Sequence, residues 1–204
     1  MYTNDFHKGR EMMKPWIILF AVVCLLAGSQ SVSAADDVEV LGVKFSKEKV
    51  VEGKTLKLNG VAFRKAMGFI KVYAVGFYME NPSRDAAEVI ASDQVKHLHF
   101  HYLTSKATAK KLSEGFLEGF KKANPADMVE SNMADAELYA SWYDKDMKPG
   151  LTASTTYVPG KGLTLVYQGE TRGTIANSEF IKMYYIYNFG EKANSKIRDG
   201  LLGK

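Results

Sequence analysis

The chain has 204 residues, of which 46% are hydrophobic and 12% aromatic, and its formal net charge is +4. That composition belongs to one globular domain with a real core, and it excludes a disordered or low-complexity chain. Acidic and basic residues are interspersed, which leaves no basic stripe for nucleic acid.

The first segment reads as a leader. Lys8, Arg10 and Lys14 form a positive flank, residues 16–28 are apolar and uncharged, and Val32-Ser33-Ala34 supplies small residues before Ala35. This is the pattern of a secretory signal peptide, too short in its apolar part to span a membrane comfortably. Residues 1–34 are thus expected to be removed, leaving 35–204 as a single domain, periplasmic or otherwise exported, with no stable membrane span. The only cysteine, Cys24, lies inside the leader, and Ala21-Val22-Val23 before it does not resemble a lipidation signal. The mature chain can form no disulfide and no thiolate site, so its core must suffice, which about 170 residues allow.

After a polar start, residues 36–43 alternate weakly toward a first strand. Residues 56–63 and 69–79 predict a long hairpin. On its second arm Phe69, Tyr73, Val75, Phe77 and Met79 share one face and Ile70, Val72, Ala74, Gly76 and Tyr78 the other. Both faces are largely apolar, as in a central strand covered on both sides. Asn81-Pro82-Ser83 ends it, and 85–92 predicts a short helix. Residues 95–103 predict a strand. A longer helix is expected to start near Thr104 or Ser105, either of which can cap it, with Ala109, Leu112, Phe116, Phe120 and Ala123 on one stripe. Asn124-Pro125 stops that helix, and 134–143 predicts another.

Residues 152–158 and 162–167 make a hairpin around Pro159-Gly160-Lys161-Gly162. Asn177 is placed to cap a helix whose buried stripe is Phe180, Met183, Tyr184 and Tyr187, and a last helix covers 194–202. Strands, helices, a hairpin and helices in this order describe an α+β domain with helices stacked on an antiparallel sheet.

Three blocks carry a family resemblance. The first runs from Gly60 to Glu80, with Arg64 ahead of Phe69-Ile70-Lys71-Val72-Tyr73 and Gly76-Phe77-Tyr78-Met79-Glu80. The second is Tyr157-Val158-Pro159-Gly160-Lys161-Gly162-Leu163, followed by Gly169, Gly173 and Ile175. The third is Phe180, Tyr187-Asn188-Phe189-Gly190 and Leu201-Leu202-Gly203. Together they resemble the chalcone isomerase-like family, in particular its bacterial exported branch. The resemblance implies a curved antiparallel sheet with a layer of helices on one face and a ligand cleft between them.

It also implies a site. In the family an arginine at the Arg64 position lines the cleft, facing the phenolate of a flavonoid in true isomerases and a fatty-acid carboxylate in plant binding proteins. Tyr73 matches the position that is tyrosine in the fatty-acid binders and threonine in the isomerases. The isomerases' tyrosine falls on Thr108 and their asparagine, seven residues on, on Gly115. A glycine donates no side-chain hydrogen bond and a threonine is too short to replace a phenol, so chalcone cyclisation is not expected. Asn177 lies near a further threonine or serine position of the isomerases, besides reading as a helix cap. Arg64 cannot lose its charge, and it is expected to be buried in the cleft, where it must find an anion, either an internal carboxylate such as Glu80 or a ligand.

A second candidate is independent of that family. His97, His99 and His101 alternate on a strand, which puts three rings on one face at about 6.5–7 Å spacing. Imidazole suits zinc, copper, iron and nickel, so metal or haem ligation is one reading and a polar strand face the other. Free of metal, they would be expected to titrate together near pH 6. Lys106, Lys110, Lys111, Lys121 and Lys122 read as a solvated basic helix side, with weak attraction to anionic lipid as the sharper reading. The expectation is an exported, non-catalytic binding protein for a fatty acid or similar small apolar carboxylate, with Arg64, Tyr73, Thr108 and Asn177 as ligand contacts. The alternatives are an intramolecular lyase acting on a phenolic or enolate substrate, and a metal or haem protein.

Overall fold

The computed structural model describes residues 37–204; the leader reading and Cys24 lie outside them. The chain opens with β1 (Val38–Val40), β2 (Val43–Phe45) and β3 (Glu48–Val51), then the long pair β4 (Lys54–Ala66) and β5 (Ile70–Met79). Next come α1 (Ala86–Ala91), β6 (Lys96–Tyr102), α2 (Ala109–Ala123), α3 (Ala126–Ser131) and α4 (Met133–Ser141). The last part holds β7 (Thr152–Val158), β8 (Gly162–Tyr167), β9 (Glu170–Ile175), α5 (Ser178–Phe189) and α6 (Ser195–Leu201). β1 and β2 form a two-stranded sheet of their own. The other seven strands form one curled antiparallel sheet in sequence order, β3 to β9.

Most elements follow from local chemistry. Asp85, Asn177 and Asn194 each accept a backbone N–H at the start of α1, α5 and α6, as short polar caps do. Three features depart from expectation. Residues 36–43 extend into a small hairpin rather than one strand. α2 starts at Ala109, with Thr108 as its cap, rather than at Thr104 or Ser105; the Asp146 carboxylate accepts from Ala109 N at 2.8 Å and helps fix that start. α3 and β9 were not legible, because six-residue elements carry too few periods to show a face.

Residues directly opposite one another in an antiparallel pair share a face. The register Arg64↔Tyr73↔Tyr102 therefore sets these three side chains on one face of β4, β5 and β6. Leu98, Thr155 and Leu165 continue that face, and α2, α4 and α5 cover it. Between the layers sits an aromatic core of Phe77, Phe120, Tyr139, Tyr143, Phe180, Tyr184, Tyr185 and Phe189, all buried. At 150–250 Å² buried per ring this cluster dominates the hydrophobic stabilisation. Two of its hydroxyls are partnered: Tyr139 Oη lies 3.1 Å from Tyr143 Oη and 3.0 Å from Thr155 Oγ1. The C-terminal helix clasps the root of β4, with Asn59 Nδ2 donating to Leu201 O at 2.8 Å. The far end of the β4–β5 hairpin projects beyond this clasp.

Candidate functional site: the Arg64–Tyr73 corner

Arg64 sits on β4 three residues before the hairpin tip, directly across from Tyr73. A register shift between Arg64 and Lys65 marks the spot, and such irregularities re-aim side chains next to sites. Tyr73 packs edge-on against Phe100 and Tyr102, at centroid distances of 5.3 and 5.8 Å. Tyr187 of α5 completes the corner. Burial raises the Tyr73 phenol's pKa, Tyr187 adds to the rise, and the Arg64 guanidinium opposes it. Burial likewise raises Tyr187, again opposed by Arg64. One cation thus faces two neutral hydroxyl donors.

Arg64 is exposed, which corrects the expectation of a buried guanidinium. The physical reason is its place at the end of a long strand, where the helical layer stops. The other half of the expectation stands: among the described residues no carboxylate pairs with it. Glu80, the internal partner considered, instead meets Lys54 at 3.4 Å and accepts from Val95 N at 2.9 Å. Half-buried Phe116 of α2 stands beside Tyr187, ring centroids 5.9 Å apart, and half-buried Val72, Leu112 and Leu117 pack against the same core. Tyr187 reaches the corner only because position 119 is glycine: a Cβ there would stand 2.4 Å from the Tyr187 ring.

Thr108 and Asn177 are used structurally. Thr108 Oγ1 accepts from Lys111 N at 3.3 Å as the cap of α2. Gly115 is exposed and a Cβ there would meet open space. Asn177 Oδ1 accepts from Glu179 N at 3.0 Å, and its Nδ2 donates to Asn132 Oδ1 at 2.9 Å and Asp135 Oδ2 at 2.6 Å. Its amide ties α5 to α4, so the structure shows Arg64, Tyr73 and Tyr187 together and gives Thr108 and Asn177 other partners.

The three histidines occupy the opposite face of the sheet, under Phe45 of β2, whose ring stands 5.5 Å from His101. His97 is buried and its Nδ1 lies 2.8 Å from Thr156 Oγ1. His97 Nε2 and His99 Nδ1 have no hydrogen-bond partner among the described residues. Burial, then the charge of Lys49, then the neighbouring histidine hold His97 and His99 down at about 3; burial and Lys49 lower His101 as well. Titration near pH 6 is therefore corrected: desolvation keeps these rings neutral. The geometry lends the metal reading no support. The His97 and His99 rings stack at 5.7 Å, and among the described residues no three His, Cys, Asp or Glu side chains are placed to hold a metal ion.

Residues 37–203 match the family described as chalcone isomerase-like. The chain belongs to that family. Comparison with curated proteins gives no match. Among solved structures, a fatty-acid-binding protein of Arabidopsis thaliana is similar, with a TM-score of 0.63 at 17% identity over 82% of this chain and 96% of that one. At that identity the likeness speaks for the fold. In this chalcone isomerase-like protein the residue that sequence reasoning missed is Tyr187. It looked like one more core aromatic of its helix, and the only hint was the glycine at 119, which makes sense once α2 and α5 are seen to cross.

Proposed function

We propose that this protein binds a small apolar carboxylate, such as a fatty acid, at the Arg64–Tyr73–Tyr187 corner, without turning it over. The observation that carries the reading is a guanidinium with no carboxylate partner among the described residues, opposite one phenol and beside another, at the rim of an apolar layer. Arginine matches a carboxylate with paired donors in a fixed plane, and neutral phenols add donors rather than competing charge. The acyl chain would run along Val72, Leu112 and Phe116. Each buried methylene contributes about 0.8 kcal/mol, so the tail sets affinity and the arginine sets orientation. The interior beyond is filled by aromatic rings, so the half-buried Leu112 and Phe116 must turn aside to admit a long tail. The solved relative's own description as a fatty-acid-binding protein supports the same class.

Turnover of a chalcone would need a phenol and an amide on α2, and this chain offers a capping threonine and an outward glycine. Export by the N-terminal leader belongs to the same proposal and rests on residues 1–34 alone. The deciding measurement is binding of a free acid against its methyl ester. Arg64→Ala weakens the acid by tenfold or more and leaves the ester nearly unchanged. An equal loss for both removes the proposed role.

A further inference from the structure

The tip of the β4–β5 hairpin departs from the rest of the surface. Met67 is 83% exposed, Phe69 75% and Phe63 41%, three of the five large hydrophobic residues that stand exposed among the described residues. They fall within seven residues of one another, so the exposure is concentrated rather than scattered. Met67 also holds φ of 51° ahead of Gly68 at 75°. A left-handed position favours glycine or asparagine, and asparagine would supply a polar side chain there with less strain. Leu41, Glu52 and Gln168 hold the same conformation ahead of glycine in other hairpin turns, so what sets Met67 apart is its wetted apolar side chain at an apex shared with Phe69.

The charges around it have one sign. Between Gly60 and Met79 the charged residues are Arg64, Lys65 and Lys71, with no acid among them. None of the three has an ion-pair partner among the described residues. Lys65 Nζ stands 5.5 Å from the centre of the Phe63 ring, a cation lying along an apolar body. α2 differs: its lysines share their surface with Glu114 and Glu118, and Lys110 pairs with Glu114 at 3.8 Å.

We propose that this hairpin tip docks the protein on an anionic lipid bilayer, with Met67 and Phe69 entering the interface and Lys65 and Lys71 meeting the head groups. Apolar side chains at the apex with cations just behind them match the layered order of a membrane surface. A protein partner fits less well, because a three-residue convex tip falls far short of the ~800 Å² per side of a stable interface. Docking would bring the rim of the Arg64 corner to head-group level, where an acid could pass between bilayer and protein. That last step rests on the proposed function; the docking does not.

The test uses the full chain carrying Trp16→Phe and Phe69→Trp, with the Trp16→Phe chain as the blank for Trp142, and vesicles of phosphatidylglycerol and phosphatidylcholine, some brominated in the acyl chain. The difference between the two chains reports the depth of the tip tryptophan, with no tryptophan left in the N-terminal leader. The expected result is a blue shift and quenching on anionic vesicles. In that background Lys65→Ser with Lys71→Ser weakens binding about twentyfold, at roughly fivefold per charge, and Met67→Ser lessens the quenching. An emission unchanged by vesicles overturns the proposal. So does a shift that appears without lipid and grows with protein concentration, which would assign the tip to a second copy of the chain. Fatty-acid binding is measured separately without vesicles. An Arg64→Ala protein that still binds acid normally sinks the carboxylate reading and leaves the quenching result standing.

Discussion

Lys96 and Arg64 show two ways for this fold to keep a cation. Lys96 is 1% exposed. Its Nζ donates to Val89 O at 3.0 Å and Ser92 O at 2.9 Å at the end of α1, and it lies 3.9 Å from the centre of the Tyr185 ring. Burial lowers its pKa to about 8, with Asp93 resisting. The groove of about 380 Å³ beside it is lined by Asp93, Tyr157, Glu179 and Lys182 among others, yet the amine itself is already satisfied. Arg64 has the opposite arrangement: exposed, close to two phenols, and unpaired with any carboxylate among the described residues. A cation that the fold needs is given all its partners from within, whereas one left short of partners at an apolar rim is free to act on something else.

The sharpest way to break this contrast is to delete each cation and measure stability. Lys96→Ala leaves a cavity and two unmatched carbonyls, and costs roughly 2–4 kcal/mol in urea unfolding. Arg64→Ala changes stability by less than ~0.5 kcal/mol. Similar costs for the two would end the distinction.

Acid probes the other sealed group. His97 is held near 3 in the folded protein against an ordinary 6.5, so the folded state binds fewer protons than the unfolded chain. Its stabilising effect is complete above pH 6.5 and falls as pH drops toward 3. By pH 4.5 the loss is about 2–3 kcal/mol from this residue, and His97→Gln flattens that part of the profile. Alkali probes Lys96 with the same sign, in a higher pH window. Its folded value of about 8 lies below the ordinary 10.5. Stability therefore rises as pH climbs from 8 toward 10.5, by about 2 kcal/mol by pH 10 relative to Lys96→Met. The smallest effect belongs to the open corner: Tyr187→Phe removes one donor and weakens acid binding by roughly fivefold, about 1 kcal/mol, with the ester unaffected in titration calorimetry.

Much of the fold was legible because long elements repeat their pattern. The pairs at 56–79 and 152–167 and the caps Asp85, Asn177 and Asn194 follow from alternation and local hydrogen bonding. The site was legible in part. Arg64 and Tyr73 stand out by the family resemblance and by their place around one hairpin, while the register that sets them opposite each other is tertiary. Tyr187 does not, since a tyrosine on a helix with Phe180 and Tyr184 looks like core from sequence. The histidines misled for a related reason. Alternation correctly put them on one face, but it does not tell whether water or Phe45 covers that face.

Local pattern, in the end, decided which residues share a strand or a helix side, because periodicity and capping act within a few residues. It settled the α+β order, whereas the pairing of Arg64 with Tyr73 came from β4 running on to Ala66 against β5. Only the packed layers decided burial, since exposure depends on elements far apart in the chain. The fold seals Lys96 beneath α1 and α5, shuts the histidines under a hairpin, and leaves Arg64 at a rim where the helices end. Desolvation falls on the first two and spares the third.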